Sequence, residues 1–88
     1  MRTVWKVELV IQEIQTVMLP ERYEIISLMV QHGTPCLWAI VNPEHPKYGV
    51  RILIHGTGHP ISDDAGEFLG SFMLTDGGFI GHVWKGLV

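Results

Sequence analysis

Two apolar segments near the middle of the chain constrain the fold most. They are Cys36–Val41 and Val50–His55, and the first is apolar on both faces of an extended backbone. A strand that is apolar on both faces is typical of the centre of a sheet, because an edge strand or a half-solvated strand alternates with polar residues. Asn42-Pro43 ends the first segment, and the second runs directly into the glycine loop Gly56–Pro60. We therefore expect two central strands, with a polar loop at the end of the second.

The rest of the chain alternates between polar and apolar residues with a period of two, which is the pattern of strands. The further predicted strands are Val4–Ile11, a second strand that ends at Pro20, Glu24–Val30, Glu67–Leu74 and Phe79–Lys85. A helix from Val7 to Met18 is the alternative for the first part. Valine and isoleucine dominate there and no N-cap precedes it, so strands are favoured.

Turn residues separate the predicted strands. His32–Pro35 forms a tight connection, and Asp76-Gly77-Gly78 is a hairpin signal. Short strands with turns about every 8–12 residues are typical of all-β folds. We expect one all-β domain over residues 1–88, a small antiparallel sandwich or partly open barrel of about seven short strands.

Composition narrows the class of function. Hydrophobic residues make up 47% of the chain and charged residues only 17%, against a usual charged share of about 25%. A chain this short has little interior for so many apolar side chains, so we expect a homo-oligomer. A net charge of −3 without a basic run makes nucleic-acid binding unfavourable. The single cysteine, Cys36, and the lack of a long apolar run or signal peptide predict a cytoplasmic protein with no membrane partner.

Several motifs together resemble a known family. They are Val-Trp-Lys-Val-Glu-Leu at 4–9, Pro-Cys-Leu-Trp-Ala-Ile-Val-Asn-Pro at 35–43, Gly-Thr-Gly-His-Pro-Ile at 56–61, and Leu-Gly-Ser-Phe with Gly-Gly-Phe-Ile-Gly-His-Val-Trp near the end. This pattern is similar to a family of small uncharacterised proteins of tailed phages. The resemblance implies a phage accessory protein that acts in the cytoplasm of an infected bacterium, and it implies no catalytic residues.

The glycine loop is the strongest candidate for a binding site. Gly56 and Gly58 allow backbone N–H groups to converge on an anion, while Thr57 adds a hydroxyl and His59 a further donor. No lysine follows as in a P-loop. The alternative is a structural turn in which the glycines only supply positive φ angles.

Nearby residues extend this candidate site. Arg51 shares a strand face with His55 and could contact a phosphate or carboxylate, although an ordinary solvent-facing arginine is the alternative. Trp5, Trp38 or Trp84 could stack on a flat ligand, although a core or interface role is common for such tryptophans. The predicted ligand-binding residues are Arg51, His55, Gly56, Thr57, Gly58, His59 and Trp38.

Catalytic and metal chemistry find less support. The zinc candidates Cys36, His55, His59 and His82 lack the paired spacing of a zinc site. Cys36 lies in an apolar strand, where a thiol usually acts as a small hydrophobe. Asp63 and Asp64 are neighbours on an extended segment and point apart. We therefore predict no catalytic residues, no metal and no cofactor.

These observations lead to one leading hypothesis. The protein is expected to be a non-catalytic phage protein that counteracts host antiviral defence by binding a nucleotide-derived signal molecule in an oligomer. The alternatives are a protein–protein inhibitor that blocks a host or defence protein, and a minor structural component of the phage.

Overall fold

The structure, a computed structural model, describes residues 1–74 and 76–87. Seven strands follow one another along the chain: β1 Thr3–Glu8, β2 Ile14–Pro20, β3 Glu24–Gln31, β4 Thr34–Val41, β5 Lys47–Gly56, β6 Ala65–Met73 and β7 Ile80–Gly86. The all-β prediction is confirmed. The described part of the chain has no helix of the length and apolarity needed to cross a membrane.

The strands form two antiparallel sheets. One has three strands in the order β1-β4-β3, and the other has four in the order β2-β5-β7-β6. Of the two architectures expected, the sandwich is the one that forms. The two apolar segments lie where the sequence predicts, since β4 is central in the first sheet and β5 is an inner strand of the second.

The core lies between the sheets and takes every second residue of the inner strands. Leu37, Ala39 and Val41 of β4 face Ile52 and Ile54 of β5 and Val83 of β7. Because Leu37, Ile52 and Val83 are fully buried, each contributes on the order of 1.5–3 kcal/mol through removal of apolar surface from water. This alternation fixes which residues of β4, β5 and β7 point outward, and the candidate site depends on that assignment.

The first predicted strand ends earlier than expected. β1 stops at Glu8, and the residues up to β2 form a connection in which Leu9 is buried while Val10 and Ile11 are exposed. The side chain of Gln15 bonds both backbone groups of Val10, through its amide nitrogen at 2.7 Å and its oxygen at 3.0 Å. A side chain that satisfies backbone groups in this way replaces the ladder bonds that a longer strand would need. The helix alternative over Val7–Met18 is wrong.

The connection from β5 to β6 is the unusual feature of the topology. β7 lies between these two strands and is antiparallel to both, so β5 and β6 run in the same direction. Such a connection must return from one end of the sheet to the other. Residues 57–64 do this, and we call them the crossover strap.

Candidate functional site

Three side chains of β5 point away from the core. Ile52 and Ile54 belong to the core, so Arg51, Leu53 and His55 lie on the outer face of the four-stranded sheet. An outer face is normally solvated, yet Leu53 is 0% exposed and His55 only 4% exposed. Something must therefore cover this part of the sheet.

The crossover strap passes over this part of the sheet, and Trp84, the partner of Leu53 on β7, lies on the same face with its ring centroid 5.6 Å from that of His55. The backbone N–H of Ser62 donates a hydrogen bond to Nε2 of His55 at 3.3 Å. Nε2 must therefore be unprotonated, which places the imidazole proton of neutral His55 on Nδ1. His55 is predicted to contact a ligand, but its outer nitrogen binds the protein's own backbone.

Arg51 fixes the other end of the strap. Its Nη1 atom lies 3.7 Å from Oδ2 of Asp64, and the N–H of Leu87 donates to the carbonyl of Asp64 at 2.8 Å. The arginine stem packs over Gly86, where an added Cβ would lie 3.0–3.1 Å from three Arg51 carbons. Arg51 is therefore not a free solvent-facing residue, and its guanidinium is directed at Asp64 rather than at the glycine loop.

The glycine loop forms a tight turn at the end of β5. The N–H of His59 donates to the carbonyl of Gly56 at 3.1 Å, and Gly58 has a φ of +85°, which favours glycine. The turn interpretation of the loop therefore holds for its backbone. Gly56 provides space instead: a Cβ there would lie 3.0 Å from the His59 ring and 3.2 Å from Phe79.

A cavity of about 380 Å³ lies beside this turn, at the lower end of the range usual for small-molecule sites. The connection between β1 and β2 forms one wall, and the end of β5 with the glycine loop forms the other. Its lining residues are Ile11, Gln12, Glu13, Ile54, His55, Gly56, His59, Pro60 and Phe79.

A second cavity of about 270 Å³ lies on the other side of His59. It extends from the glycine loop to the hairpin between β6 and β7, and its lining residues are Gly56, Thr57, His59, Gly77, Gly78, Phe79 and Ile80. Both cavities share Gly56, His59 and Phe79. His59 thus lies between two different cavities. The larger one is mainly apolar with one amide and one carboxylate, and the smaller one is rich in glycine.

His82, which the sequence suggested only as a possible zinc ligand, joins this site through Thr57. Its Nε2 lies 2.8 Å from Thr57 Oγ1 and its Nδ1 lies 2.7 Å from Ser71 Oγ. A neutral imidazole accepts at one nitrogen and donates at the other, so one hydroxyl donates to the ring and the other accepts from it. Because hydroxyls occupy both nitrogens, no carboxylate orients His82 as in a Ser–His–Asp triad.

Trp38 does not belong to the site, and this prediction is corrected. It lies on β4 in the three-stranded sheet, and its neighbours Leu37 and Ala39 point into the core. Its side chain therefore projects from the outer face of the opposite sheet. Trp84 is the tryptophan near the histidines, with its ring centroid 5.6 Å from that of His55 and 6.4 Å from that of His82.

The remaining candidate groups have structural surroundings. Cys36 is fully buried and its sulfur lies 3.4 Å from the carbonyl of Thr34, as expected for a thiol that packs as a small hydrophobe. Asp64 pairs with Arg51, while Asp63 is exposed. Among residues 1–74 and 76–87, no three His, Cys, Asp or Glu side chains are close enough to hold a metal ion.

Comparison with known proteins gives one match. A family model described as "Domain of unknown function (DUF7352)" matches residues 1–87. No curated protein and no solved structure matches the chain.

Proposed function

The chain belongs to the family of domains of unknown function DUF7352, and we propose that it is a non-catalytic protein that binds a small nucleotide-like molecule at the glycine-loop end of the sandwich. The observation that carries this proposal is the pair of cavities that meet at His59. They differ in chemistry as the two halves of a nucleotide do.

The larger cavity suits a base. Ile11, Ile54 and Phe79 supply an apolar wall and an aromatic ring, while Gln12 and Glu13 supply an amide and a carboxylate. Flat heterocycles stack on aromatic rings and form hydrogen bonds through their edges, so a few placed polar groups in an apolar pocket fit them. Glu13 favours an edge that presents N–H donors.

The smaller cavity suits a phosphate. His59 is the titratable side chain among the described lining residues, and the glycines at 56, 77 and 78 leave open space there. The N–H groups of Gly77 and Gly78 donate to Leu74 O and Asp76 Oδ1, so Thr57 and His59 are the groups that would hold a phosphate. The hydrogen bonds of His82 favour this role for Thr57. When Ser71 donates to Nδ1, Nε2–H donates to Thr57 Oγ1, which leaves the Thr57 hydroxyl proton to bond a phosphate oxygen.

The biological role we propose is capture of a nucleotide-derived signal, which would counteract antiviral defence in an infected bacterium. The support is the resemblance of the sequence motifs to those of small tailed-phage proteins, together with a site in which His82 bonds only hydroxyls. Capture needs binding alone. Thr57 and His82 lie at the distance of a nucleophile and its base, but a serine hydroxyl and not a carboxylate bonds the other nitrogen of His82.

Calorimetric titration with AMP, GMP, CMP and UMP tests the proposal. At least one nucleotide is expected to bind, and His59→Ala should weaken that binding at least tenfold because His59 lines both cavities. His32→Asn is the matched control, since His32 is exposed in the turn between β3 and β4 with a φ of 51° that asparagine tolerates. The proposal fails if none of the four nucleotides binds at millimolar concentration, or if His59→Ala binds as tightly as the parent protein.

Self-association is the second role that a specific surface favours. The outward residues of β6 and β7 form what we call the open half of the outer face: Phe68, Ser71, Met73, Ile80, His82 and Trp84. Phe68 is 54% exposed and Met73 is 58% exposed. Two copies that each carry a net charge of −3 meet with least repulsion through a face without charged side chains. We therefore assign this face to a second copy of the chain.

Light scattering measures the molar mass of the protein in solution and so tests for a dimer. The protein should have the mass of a dimer, and Phe68→Glu should convert it to a monomer, because a carboxylate in an apolar interface loses its hydration. Val4→Glu, at a similarly exposed apolar residue on β1 of the three-stranded sheet, should leave the dimer intact. A monomeric parent protein would overturn the assignment and leave the face to a different protein.

A further inference from the structure

Lys85 has an unexpected position for a charged residue. It lies on β7, an inner strand, opposite Ile52 and on the same face as Val83, and both of those residues belong to the core. A lysine on the core-facing side of an inner strand loses part of its hydration, which is unfavourable unless the ammonium reaches water or a partner.

Lys85 lines a third cavity, which lies at the opposite end of the four-stranded sheet from the glycine loop. The cavity has a volume of about 390 Å³, and residues at the start of β3 and of β6 line it together with Lys85. It shares no residue with the two cavities at His59. It is therefore a separate site.

Two cations, Arg22 and Lys85, are among the residues that line this cavity. Lys85 Nζ lies 5.3 Å from the ring centroid of Tyr23, and Arg22 adjoins Tyr23 in the chain with a left-handed φ of 62°. Interaction with the Tyr23 hydroxyl, and to a smaller extent the charge of Glu67, raises the pKa of Lys85 above its ordinary value, so the ammonium remains charged at neutral pH. Among residues 1–74 and 76–87, neither Arg22 nor Lys85 has a carboxylate within 4.0 Å.

Two further kinds of group complete the lining. Ile25 and Leu69 are half-buried apolar residues, and Glu24 and Glu67 supply carboxylates. A polyanion such as a phosphate ester would be repelled by these carboxylates. A molecule with one carboxylate, one ammonium and a short apolar part matches all three kinds of group.

We propose that the cavity between β3 and β6 binds a small zwitterion with an apolar side chain, of the class of the apolar α-amino acids. Arg22 and Lys85 hold its carboxylate, Glu24 or Glu67 holds its ammonium, and Ile25 and Leu69 contact its side chain. This site is independent of the nucleotide site proposed at His59.

The test follows backbone amide signals by NMR during titration with L-leucine. Two matched probes each lack one charge: 4-methylpentanoate has no ammonium, and 3-methylbutylamine has no carboxylate. L-Leucine should shift the amides of Ile25, Leu69 and Lys85, and each matched probe should bind at least tenfold more weakly. Absence of any shift at millimolar L-leucine, or equal binding of all three probes, would overturn the proposal.

Substitutions of Lys85 and Arg22 test whether these cations bind the carboxylate of L-leucine. Lys85→Met keeps the apolar stem and should weaken L-leucine binding at least tenfold, whereas Lys47→Met, which removes a cation lying 5.6 Å from the Trp5 ring centroid, should not. Arg22→Asn tolerates the left-handed φ and gives a second measurement if Lys85→Met does not fold. His59→Ala should leave L-leucine binding unchanged, so this proposal and the nucleotide proposal can fail separately. Unchanged binding in both Lys85→Met and Arg22→Asn would contradict the assignment.

Discussion

The outer face of the four-stranded sheet has two halves with the same alternating pattern and opposite environments. On β5, which we call the covered half, Leu53 is 0% exposed under the crossover strap. On β6 and β7, the open half, Phe68 and Met73 are more than half exposed. The strand pattern is the same in both halves, and the covered half differs in having the crossover strap attached over it at His55 and Arg51.

This comparison shows that an outward-facing position is not the same as a solvent-facing one. The strap adds a partial third layer over β5, and His55 and Arg51 hold that layer through contacts with Ser62 and Asp64. The polar residues of β5 therefore serve first to attach the strap. The strap in turn places Thr57 and His59 at the end of the sandwich.

Truncation of one apolar residue in each half should give the largest difference in the free energy of unfolding. Leu53→Ala is expected to lower the free energy of unfolding by about 2–5 kcal/mol, the usual cost of a buried leucine-to-alanine change. Met73→Ala should change it by no more than about 0.5 kcal/mol in dilute protein, because the side chain is exposed there. Urea unfolding curves measure both values. Similar losses in the two variants would mean that the strap does not bury Leu53.

Removal of His55, whose ring accepts the hydrogen bond from Ser62, should lower the free energy of unfolding by less than Leu53→Ala does. His55→Leu keeps an apolar side chain of similar size and leaves the Ser62 N–H without its acceptor, at a cost of about 1–3 kcal/mol. Hydrogen exchange of the Ser62 amide should accelerate in this variant and stay unchanged in His32→Asn. An unaltered exchange rate in His55→Leu would show that the hydrogen bond does not hold the strap.

The ion pair between Arg51 and Asp64, at the other end of the crossover strap, should contribute least to the free energy of unfolding. Arg51 and Asp64 are 3.7 Å apart with side chains 38% and 52% exposed, and pairs this exposed are worth at most about 1 kcal/mol. A double-mutant cycle with Arg51→Met and Asp64→Asn should give a coupling energy in that range, and added salt should reduce it. A coupling energy that salt leaves unchanged would contradict this assignment.

Most of the fold follows from the sequence because alternation is a local property. The hairpin at Asp76–Gly78 joins β6 to β7 as expected, and the opposite facing of Ile52 and Leu53 follows from alternation alone. The early end of β1 could not be predicted in this way. It depends on the side chain of Gln15 bonding to Val10, and this contact exists only once the connection has folded.

The candidate site was harder to predict because it depends on strand order. Alternation assigns His55 and His82 to faces, but the insertion of β7 between β5 and β6 makes them direct neighbours. The wrong prediction for Trp38 has the same cause, because the alternation of polar and apolar residues does not show which sheet a strand joins. The pairing of Arg51 with Asp64 likewise needs the path of the strap.

The position of β7 also affects how the chain folds during synthesis. β7 is the last of the seven strands to be made, yet it lies inside the four-stranded sheet. On the ribosome, β2 can pair with β5, but β6 has no neighbour in its sheet until residues 80–86 emerge. The apolar side chains of β6 therefore lack their sheet partner until β7 emerges, and a nascent chain with such exposed apolar side chains is prone to aggregate or to bind a chaperone.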